Sequence, residues 1–234
     1  ELLQRRGLNV IPVARSLGHD IGQPELGMSK KDYAQCEEAD AVIHCAAIVN
    51  WNTAYMDLRE ANVLSALHLA RLCVVGRPKQ LLFVGSGVAF PEEPHTLDWL
   101  QECLNPYMVS KIASEYLIRK LHPQTVVVRA GIVVWHSTTG AHNPSDAYLR
   151  LIQSIKGDSL VWQYDDFLDG MNVDAFCRAA YSLFERGAFG TSNLRGSYDL
   201  SRLLPLFEPL PKRVPYAEWY ETIKTLAERS ALNA

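Results

Sequence analysis

The sequence predicts an α/β fold in which a parallel sheet is covered by helices on both faces. Three short runs, 40–47, 80–84 and 125–129, have the continuous hydrophobicity of buried parallel strands. Two longer segments between them, 58–75 and 107–121, repeat their apolar residues at helical spacing. Strands that alternate with helices in this way are joined by crossovers, which produce a parallel sheet.

The chain before the first of these strands predicts only short elements. Glu1–Arg6 is charged and helical in pattern, and Leu8–Val13 is a short apolar run. The loop Ser16–Ser29 follows, with three glycines and one proline, and Lys30–Glu38 predicts a polar helix.

Small residues and glycines mark the ends of the three strands. The first closes on Ala46 and Ala47, the second on Gly85-Ser86-Gly87, and the third on Arg129-Ala130-Gly131. Gly76 and Pro78 end the helix that precedes the second strand. The segment 91–106 predicts irregular structure with one helical turn around Trp99.

The pattern becomes less regular after about residue 135. Helices are expected over Ser145–Ile155, Asp174–Arg186 and Ala217–Arg229. We therefore expect a Rossmann-like cofactor-binding and catalytic core over 1–135. A smaller substrate-binding or lid subdomain is expected over 136–234.

Composition excludes several classes of function. A net charge of −3 and a pI near 6.2 do not favour nucleic acid or a membrane surface as a partner. No apolar run reaches the roughly 20 residues of a spanning helix. The five cysteines are an odd number without a C-x-x-C pair, which favours a reducing, cytoplasmic location. Cysteine and histidine form no cluster at metal-ligand spacing, so no metal site is predicted.

A catalytic pair is predicted at Tyr107 and Lys111. Residues four apart share one face of a helix, so both side chains can reach one cleft. A nearby ammonium lowers the pKa of a tyrosine and suits it to proton transfer. Tyrosine and lysine four residues apart are common on exposed helix faces, so the pair indicates catalysis only where neighbouring residues support it.

Ser86 supplies that support. It ends the predicted strand just upstream of the tyrosine helix, and ligands of open α/β sheets bind at the carboxyl ends of strands. A serine there can hold a substrate carbonyl oxygen beside the tyrosine hydroxyl. The sequence therefore predicts an active site of Ser86, Tyr107 and Lys111.

Several further segments resemble the extended short-chain dehydrogenase/reductase superfamily. The likeness is strongest to the thioester reductases, which include carboxylic acid reductases, aminoadipate reductases and the terminal reductase domains of nonribosomal peptide and polyketide synthases. The segments that carry it are Asp20-Ile-Gly-Gln-Pro-Glu-Leu-Gly-Met-Ser29, Ala39-Asp-Ala-Val-Ile-His-Cys-Ala-Ala47, Val49-Asn-Trp51, Asn62-Val63, Gly76-Arg-Pro-Lys-Gln-Leu-Leu-Phe-Val84, Tyr107-Met-Val-Ser-Lys-Ile-Ala-Ser-Glu115, Arg129-Ala-Gly131, Ser137-Thr-Thr-Gly140 with Asn143, Asn172-Val-Asp174 and Val214-Pro-Tyr-Ala-Glu-Trp219.

The resemblance implies NADPH-dependent reduction of an acyl or peptidyl thioester to an aldehyde, and in some members onward to an alcohol. The implied partner is a carrier protein that presents the thioester on a phosphopantetheine arm. Ser86 and Tyr107 would contact the carbonyl oxygen, and Lys111 would bind the nicotinamide ribose and lower the tyrosine pKa. The other implied cofactor contacts are Asp20 and Ile21 near adenine, Ala46 and Ala47 along the cofactor, and Gly131 and Ile132 by the nicotinamide.

The sequence departs from this family in three places. No segment before Asp20 fits the G-x-x-G-x-x-G turn that binds the pyrophosphate, so the first strand and its glycine-rich turn are expected to be missing from this chain. Gly85 and Gly87 flank Ser86 where the family more often has serine or threonine. Ala130 replaces the proline that usually follows the arginine.

Two other functions remain open from the sequence. A redox-silent relative would release its product by Dieckmann-type cyclisation, and a non-catalytic relative would act as a binding module. Core packing is expected for His44 and for the tryptophans Trp51, Trp135, Trp162 and Trp219, rather than roles in catalysis or in an acyl channel.

Overall fold

The computed structural model describes residues 2–87, 105–144, 146, 160–162, 167–168, 170–196, 198–199, 212–215, 217–218, 221–222 and 224–225. The turn expected around Trp99 lies outside these residues, as does the helix expected over Ser145–Ile155, apart from Asp146. The described helices are α1 (Leu2–Arg5), α2 (Lys30–Glu37), α3 (Tyr55–Arg59), α4 (Ser65–Val74), α5 (Pro106–Leu121) and α6 (Val173–Glu185). Short 3-10 turns cover Arg15–Leu17 and Pro24–Gly27, and a π-helical turn covers Glu60–Leu64.

Ten strands lie in the described part of the chain. They are β1 (Ala41–His44), β2 (Gln80–Ser86), β3 (Thr125–Ala130), β4 (Ile132–Val134), β5 (Leu160–Trp162), β6 (Phe167–Leu168), β7 (Gly170–Asn172), β8 (Gly190–Leu194), β9 (Tyr198–Asp199) and β10 (Lys212–Val214).

The main sheet has four parallel strands in the order β1-β2-β3-β8. Its register pairs His44 with Phe83, and Phe83 with Val127. Because the strands are parallel, their carboxyl ends meet at one edge, where Ser86 pairs with Ala130. The predicted α/β fold with a parallel, Rossmann-like sheet is confirmed.

Burial explains why the sheet forms where the sequence predicts it. Val126, Val127 and Val128 of β3 are almost fully buried, as are Leu81 and Phe83 of β2. A strand covered on both faces needs apolar residues at consecutive positions, which is the pattern found in the sequence. The core formed by these strands continues through α2, α4 and α5, with the members Leu26, Tyr33, Cys36, Ala66, Leu69, Ala70, Leu72, Cys73, Leu81, Phe83, Ile118 and Val127.

The helix predicted over 58–75 has a more complex form. The structure divides it into α3, the π-helical turn and α4, and the turn buries Asn62. A π turn inserts one extra residue into the helix and is frequent at functional sites. Periodicity alone did not predict this interruption, because the apolar spacing resumes directly after it.

Strand β8 was not predicted. Its sequence, Gly-Thr-Ser-Asn-Leu, is polar, and its residues are exposed or half-buried at the edge of the sheet. The helix before it was predicted over Asp174–Arg186 and is confirmed as α6. For the helix expected over Ala217–Arg229, residues 217–218, 221–222 and 224–225 are helical.

The chain divides into two compact units. The first contains Glu1–Gly131 and Phe176–Leu194, and therefore the whole main sheet. The second contains Ile132–Ala175 and Arg195–Ala234, with two parallel strand pairs, β4 with β7 and β5 with β10, and the antiparallel pair β6 with β9. The expected division of roles between 1–135 and 136–234 stays a prediction.

None of the helices in the described ranges has both the length and the apolar character that are needed to cross a membrane.

Candidate active site

Ser86 and Tyr107 meet at the carboxyl edge of the main sheet. Ser86 is the last residue of β2, and Tyr107 lies in the first turn of α5. The side chain of Ser86 is hydrogen-bonded to the buried hydroxyl of Tyr107. The structure therefore brings together two of the three residues for which catalysis was predicted.

The start of α5 places Tyr107 at this edge. Asn105 has an extended backbone, and its side-chain oxygen accepts hydrogen bonds from the N–H groups of Tyr107 (2.9 Å) and Met108 (3.3 Å). Pro106 occupies the first helical position, where its missing N–H needs no partner. The Asn-Pro pair thus begins the helix one residue before Tyr107.

The pKa of Tyr107 is raised above its ordinary value. Burial of the hydroxyl is the larger cause, and the hydrogen bond with Ser86 partly opposes it. The expected lowering of the tyrosine pKa is therefore wrong for this structure, because loss of water outweighs any stabilisation of the phenolate. Tyr107 is a protonated phenol at neutral pH, and its hydroxyl can donate a hydrogen bond.

Lys111 lies one turn after Tyr107 and is buried. Its ammonium donates a hydrogen bond to the carbonyl of Val84 (3.3 Å) and lies 5.6 Å from the centre of the Phe83 ring. Burial lowers the pKa of Lys111 to about 8, although the carboxylate of Glu115 opposes the shift. The lysine is therefore mostly protonated at pH 7, and burial of this charge lowers the free energy of unfolding.

His44 contributes to this environment from the end of β1. Its ring is 5.1 Å from that of Phe83, and burial, with the charge of Lys111, lowers its pKa to about 3. The imidazole is neutral near pH 7, which agrees with the expected packing role and not with that of a general acid.

We expect Lys111→Met to stabilise the protein at pH 7 by about 3 kcal/mol, because the difference between pKa 10.5 and about 8 corresponds to that amount. Between these two pH values the unfolded chain keeps the lysine proton and the folded protein releases it. Wild-type stability therefore rises with pH in this window, and the advantage of the variant disappears towards pH 10.5. Urea unfolding at several pH values measures the effect.

The matched control is Lys120→Met, which removes an exposed lysine from the same helix. It should change the free energy of unfolding by less than about 0.5 kcal/mol at every pH. A Lys111→Met variant that is less stable than wild type at pH 7 would contradict the assigned cost of the buried charge.

A buried ion pair lies behind the site and was not predicted from the sequence. Glu115 of α5 accepts hydrogen bonds from the Arg129 guanidinium of β3, at 3.0 Å from Nε and 2.8 Å from Nη2. Both side chains are buried. The arginine at the end of an apolar run indicated a buried charge that needs a partner. The sequence did not show which of several acidic residues that partner is.

This ion pair explains why a glycine lies at position 85, one of the two positions beside Ser86 where the sequence departs from the family pattern. A Cβ atom at position 85 would lie 3.3 Å from Oε2 of Glu115, closer than ordinary van der Waals contact. At Gly87 a Cβ would lie 3.1 Å from the carbonyl oxygen of Ala130, which already accepts a hydrogen bond from the N–H of Gly87. Both glycines permit close packing around the serine.

Asn62 joins the loop after β1 to the start of α5. Its side-chain oxygen accepts from the N–H of Ile48 (2.7 Å), and its amide donates to the carbonyl of Ile48 (3.0 Å) and the hydroxyl of Ser110 (3.0 Å). Ser110 in turn donates to the carbonyl of Tyr107 (2.7 Å). The sequence indicated Asn62 only through family resemblance, and the structure shows its hydrogen bonds.

We expect Asn62→Leu to lower the free energy of unfolding by about 2–4 kcal/mol, because it leaves the partners of three hydrogen bonds without this side chain. Asn50→Ala is the control: its exposed side chain accepts a single bond, from the N–H of Asn52, which water can replace. Equal changes in the urea unfolding of both variants would contradict this role for Asn62.

The remaining residues expected at the cofactor lie on three segments. Ala46 and Ala47 follow β1, where Ala46 is exposed, and Gly131 follows β3 and donates its N–H to the carbonyl of Leu194 (3.1 Å). Ile132 begins β4 in the second unit and is half-buried.

Asp20 and Ile21 lie on a loop before α2. The carboxylate of Asp20 accepts a hydrogen bond from the N–H of Gly22 (3.0 Å), and Ile21 packs against the core. The backbone at Gly22 lies directly against Glu60 of the π turn. The expected contact of Asp20 and Ile21 with adenine stays a prediction.

Trp51 does not pack in the core, and the expectation for this residue is wrong. Its side chain is 55% exposed, and its ring stacks on that of Tyr107, with centroids 6.1 Å apart and planes inclined by 23°. Trp135 is half-buried, and the side chains of Trp162 and Trp219 lie outside the described residues. Within the ranges described above, no three histidine, cysteine or acidic residues are grouped to hold a metal ion.

Comparison with known proteins gives consistent matches. A family of NAD-binding domains described as "Male sterility protein" matches residues 13–180. L-2-aminoadipate reductase large subunit of Penicillium chrysogenum is 29% identical over 158 residues, which are 57% of this chain and 11% of that protein. Nonribosomal peptide synthetase 5 of Gibberella zeae is 32% identical over 152 residues, 58% of this chain and 1% of that protein.

Among solved structures, the terminal R domain from the myxalamid PKS-NRPS biosynthetic pathway aligns with a TM-score of 0.79 and 27% identity. The alignment covers 90% of this chain and 58% of that one. The chain thus spans about a tenth, or less, of the curated relatives and somewhat more than half of the solved domain. The resemblance to reductases that was read from the sequence is confirmed.

Proposed function

This chain belongs to the male sterility protein family of NAD-binding domains, and on that premise we propose that it catalyses NADPH-dependent reduction of a carrier-bound acyl thioester to an aldehyde. The observation that carries the proposal is the hydrogen bond between Ser86 and the buried Tyr107 hydroxyl at the carboxyl edge of a parallel sheet. The resemblance to thioester reductases supports the choice of a thioester substrate and of a nicotinamide cofactor.

Ser86 and Tyr107 are proposed to hold the carbonyl oxygen of the thioester. Reduction places negative charge on this oxygen, and two hydroxyl donors stabilise that charge more strongly in the transition state than in the substrate. The raised pKa of Tyr107 supports this role, since a donor must keep its proton at neutral pH. When the oxyanion collapses, the C–S bond breaks, the carbonyl re-forms as an aldehyde, and the carrier arm leaves as a thiolate that takes a proton from water.

The residues around Lys111 fit a nicotinamide cofactor, which supplies the hydride when it is bound. The ammonium has three N–H donors, and its partner among the described residues is the carbonyl of Val84. Donors therefore remain for the two hydroxyl groups of a ribose. The small residues Ala46, Ala47 and Gly131 allow a ligand to approach the backbone at the ends of β1 and β3.

The proposed partner is an acyl or peptidyl carrier protein with a phosphopantetheine arm. The test uses the protein expressed from its complete gene, an acyl-pantetheine thioester and NADPH, with nicotinamide absorbance and product mass as readouts. NADPH oxidation that matches aldehyde or alcohol formation is expected. Release of a cyclised product without NADPH oxidation would overturn the proposal in favour of redox-silent cyclisation.

A further inference from the structure

Trp51 is a large aromatic side chain that folding leaves more than half exposed. Single exposed apolar residues are common and do not by themselves indicate a site. Trp51 differs because its ring stacks on Tyr107, whose hydroxyl is bonded to Ser86. An exposed indole beside the proposed carbonyl site is available to whatever occupies that site.

The loop that carries Trp51 is tied at its start, at Ile48, to the buried side chain of Asn62. Both backbone polar groups of Ile48 are bonded to Asn62, and Asn50 accepts the N–H of Asn52. The same Asn62 is joined through Ser110 to the backbone of Tyr107. The backbone before Trp51 and the backbone of Tyr107 are thus linked through one buried side chain, which favours a preorganised binding surface.

The chemistry of this loop indicates what it receives. From Cys45 to Met56 the chain contains no charged residue, and Val49, two positions before Trp51, is 69% exposed. Val49 and Trp51 offer apolar contact, and the neutral side chains of this loop provide no counter-charge for a carboxylate or an ammonium. An uncharged apolar group is the occupant that this loop favours.

We propose that Trp51 is a specificity-determining residue that binds the apolar acyl chain next to the thioester carbonyl. The inference rests on the proposed function, because Ser86 and Tyr107 hold the carbonyl oxygen there. The substrate class is thus an uncharged acyl group, in preference to one that carries a charge near the thioester.

The test compares acetyl-, hexanoyl- and octanoyl-pantetheine thioesters with wild type and Trp51→Ala. The variant should lose about 30-fold in kcat/KM for octanoyl and less than about threefold for acetyl, because each buried methylene contributes to binding. Trp51→Phe should recover most of the loss. Phe189→Ala is the matched control. It removes another half-exposed aromatic, which directly precedes β8 at the amino end of that strand, and it should leave kcat/KM unchanged for all three thioesters.

A loss that is equal for all chain lengths would overturn the inference, because it would mean that Trp51 supports Tyr107 or contacts the pantetheine arm. Calorimetric binding of the matching non-reducible acyl amides separates this inference from the proposed function. Chain-length-dependent binding that Trp51→Ala abolishes, without NADPH oxidation by wild type, would support the acyl site and contradict the reductase. Binding that does not depend on chain length in wild type would overturn the acyl site alone.

Discussion

Replacement of Tyr107 by phenylalanine is expected to reduce kcat for thioester reduction by about 10²–10⁴-fold. The change removes only the hydroxyl that is hydrogen-bonded to Ser86, and the phenol is the donor whose pKa burial raises. The ring, and therefore its stacking with Trp51, is retained. NADPH oxidation under single-turnover conditions measures the effect on the chemical step.

Tyr116→Phe is the matched control for this substitution. Tyr116 lies on the same helix but is 61% exposed, so loss of its hydroxyl should leave kcat and stability unchanged. Retention of more than about a third of the wild-type kcat in Tyr107→Phe would contradict the role of the phenol. Absence of NADPH oxidation in both wild type and Tyr107→Phe would instead favour a binding module or a redox-silent enzyme.

The largest expected effect on stability comes from the buried ion pair of Glu115 and Arg129. Glu115→Gln should lower the free energy of unfolding by about 3–5 kcal/mol, because it removes the carboxylate that is paired with the buried guanidinium. The same change removes a negative charge that now raises the pKa of Lys111, so the ammonium is also stabilised less. Urea unfolding at neutral pH measures the effect.

An exposed ion pair provides the control for this prediction. Arg6 and Glu185 are 3.2 Å apart with both side chains about half exposed, and Glu185→Gln should cost less than about 1 kcal/mol. The double variant Glu115→Leu/Arg129→Met should recover much of the stability lost in Glu115→Gln, since apolar residues can replace a buried pair. If Glu115→Gln lowers the free energy of unfolding by no more than Glu185→Gln does, the prediction for the buried pair is contradicted.

Local sequence pattern was sufficient for much of the main sheet and its helices. The continuous apolar runs predicted β1, β2 and β3, the helical spacing predicted α5 and α6, and the structure confirms all five elements. Burial explains the pattern of β2 and β3, whereas β1 lies at the edge of the described sheet and is largely exposed, so its expected burial is wrong. Strand β8 was missed because it is polar and lies at the edge of the sheet, where backbone pairing with β3 replaces side-chain burial as the reason for the strand.

The candidate site divides in the same way. Its residues Ser86, Tyr107 and Lys111 were found from a four-residue spacing and a strand end, which are local features. The direction of the Tyr107 pKa was predicted wrongly, since the sequence showed the nearby lysine but not the degree of burial. Trp51 was assigned to the core, because a sequence does not show which face of a loop meets a helix formed more than fifty residues later.

The sequence by itself therefore determined the fold class, the family resemblance and the chemical groups at the proposed carbonyl site, because each depends on residue type and on short-range spacing. The tertiary structure alone decided how these groups behave. Burial raises the pKa of Tyr107 and lowers the pKa of Lys111, and long-range contacts pair Glu115 with Arg129, Asn62 with Ile48, and Trp51 with Tyr107. Desolvation and long-range contacts depend on the packing of the whole unit, and no local pattern records them.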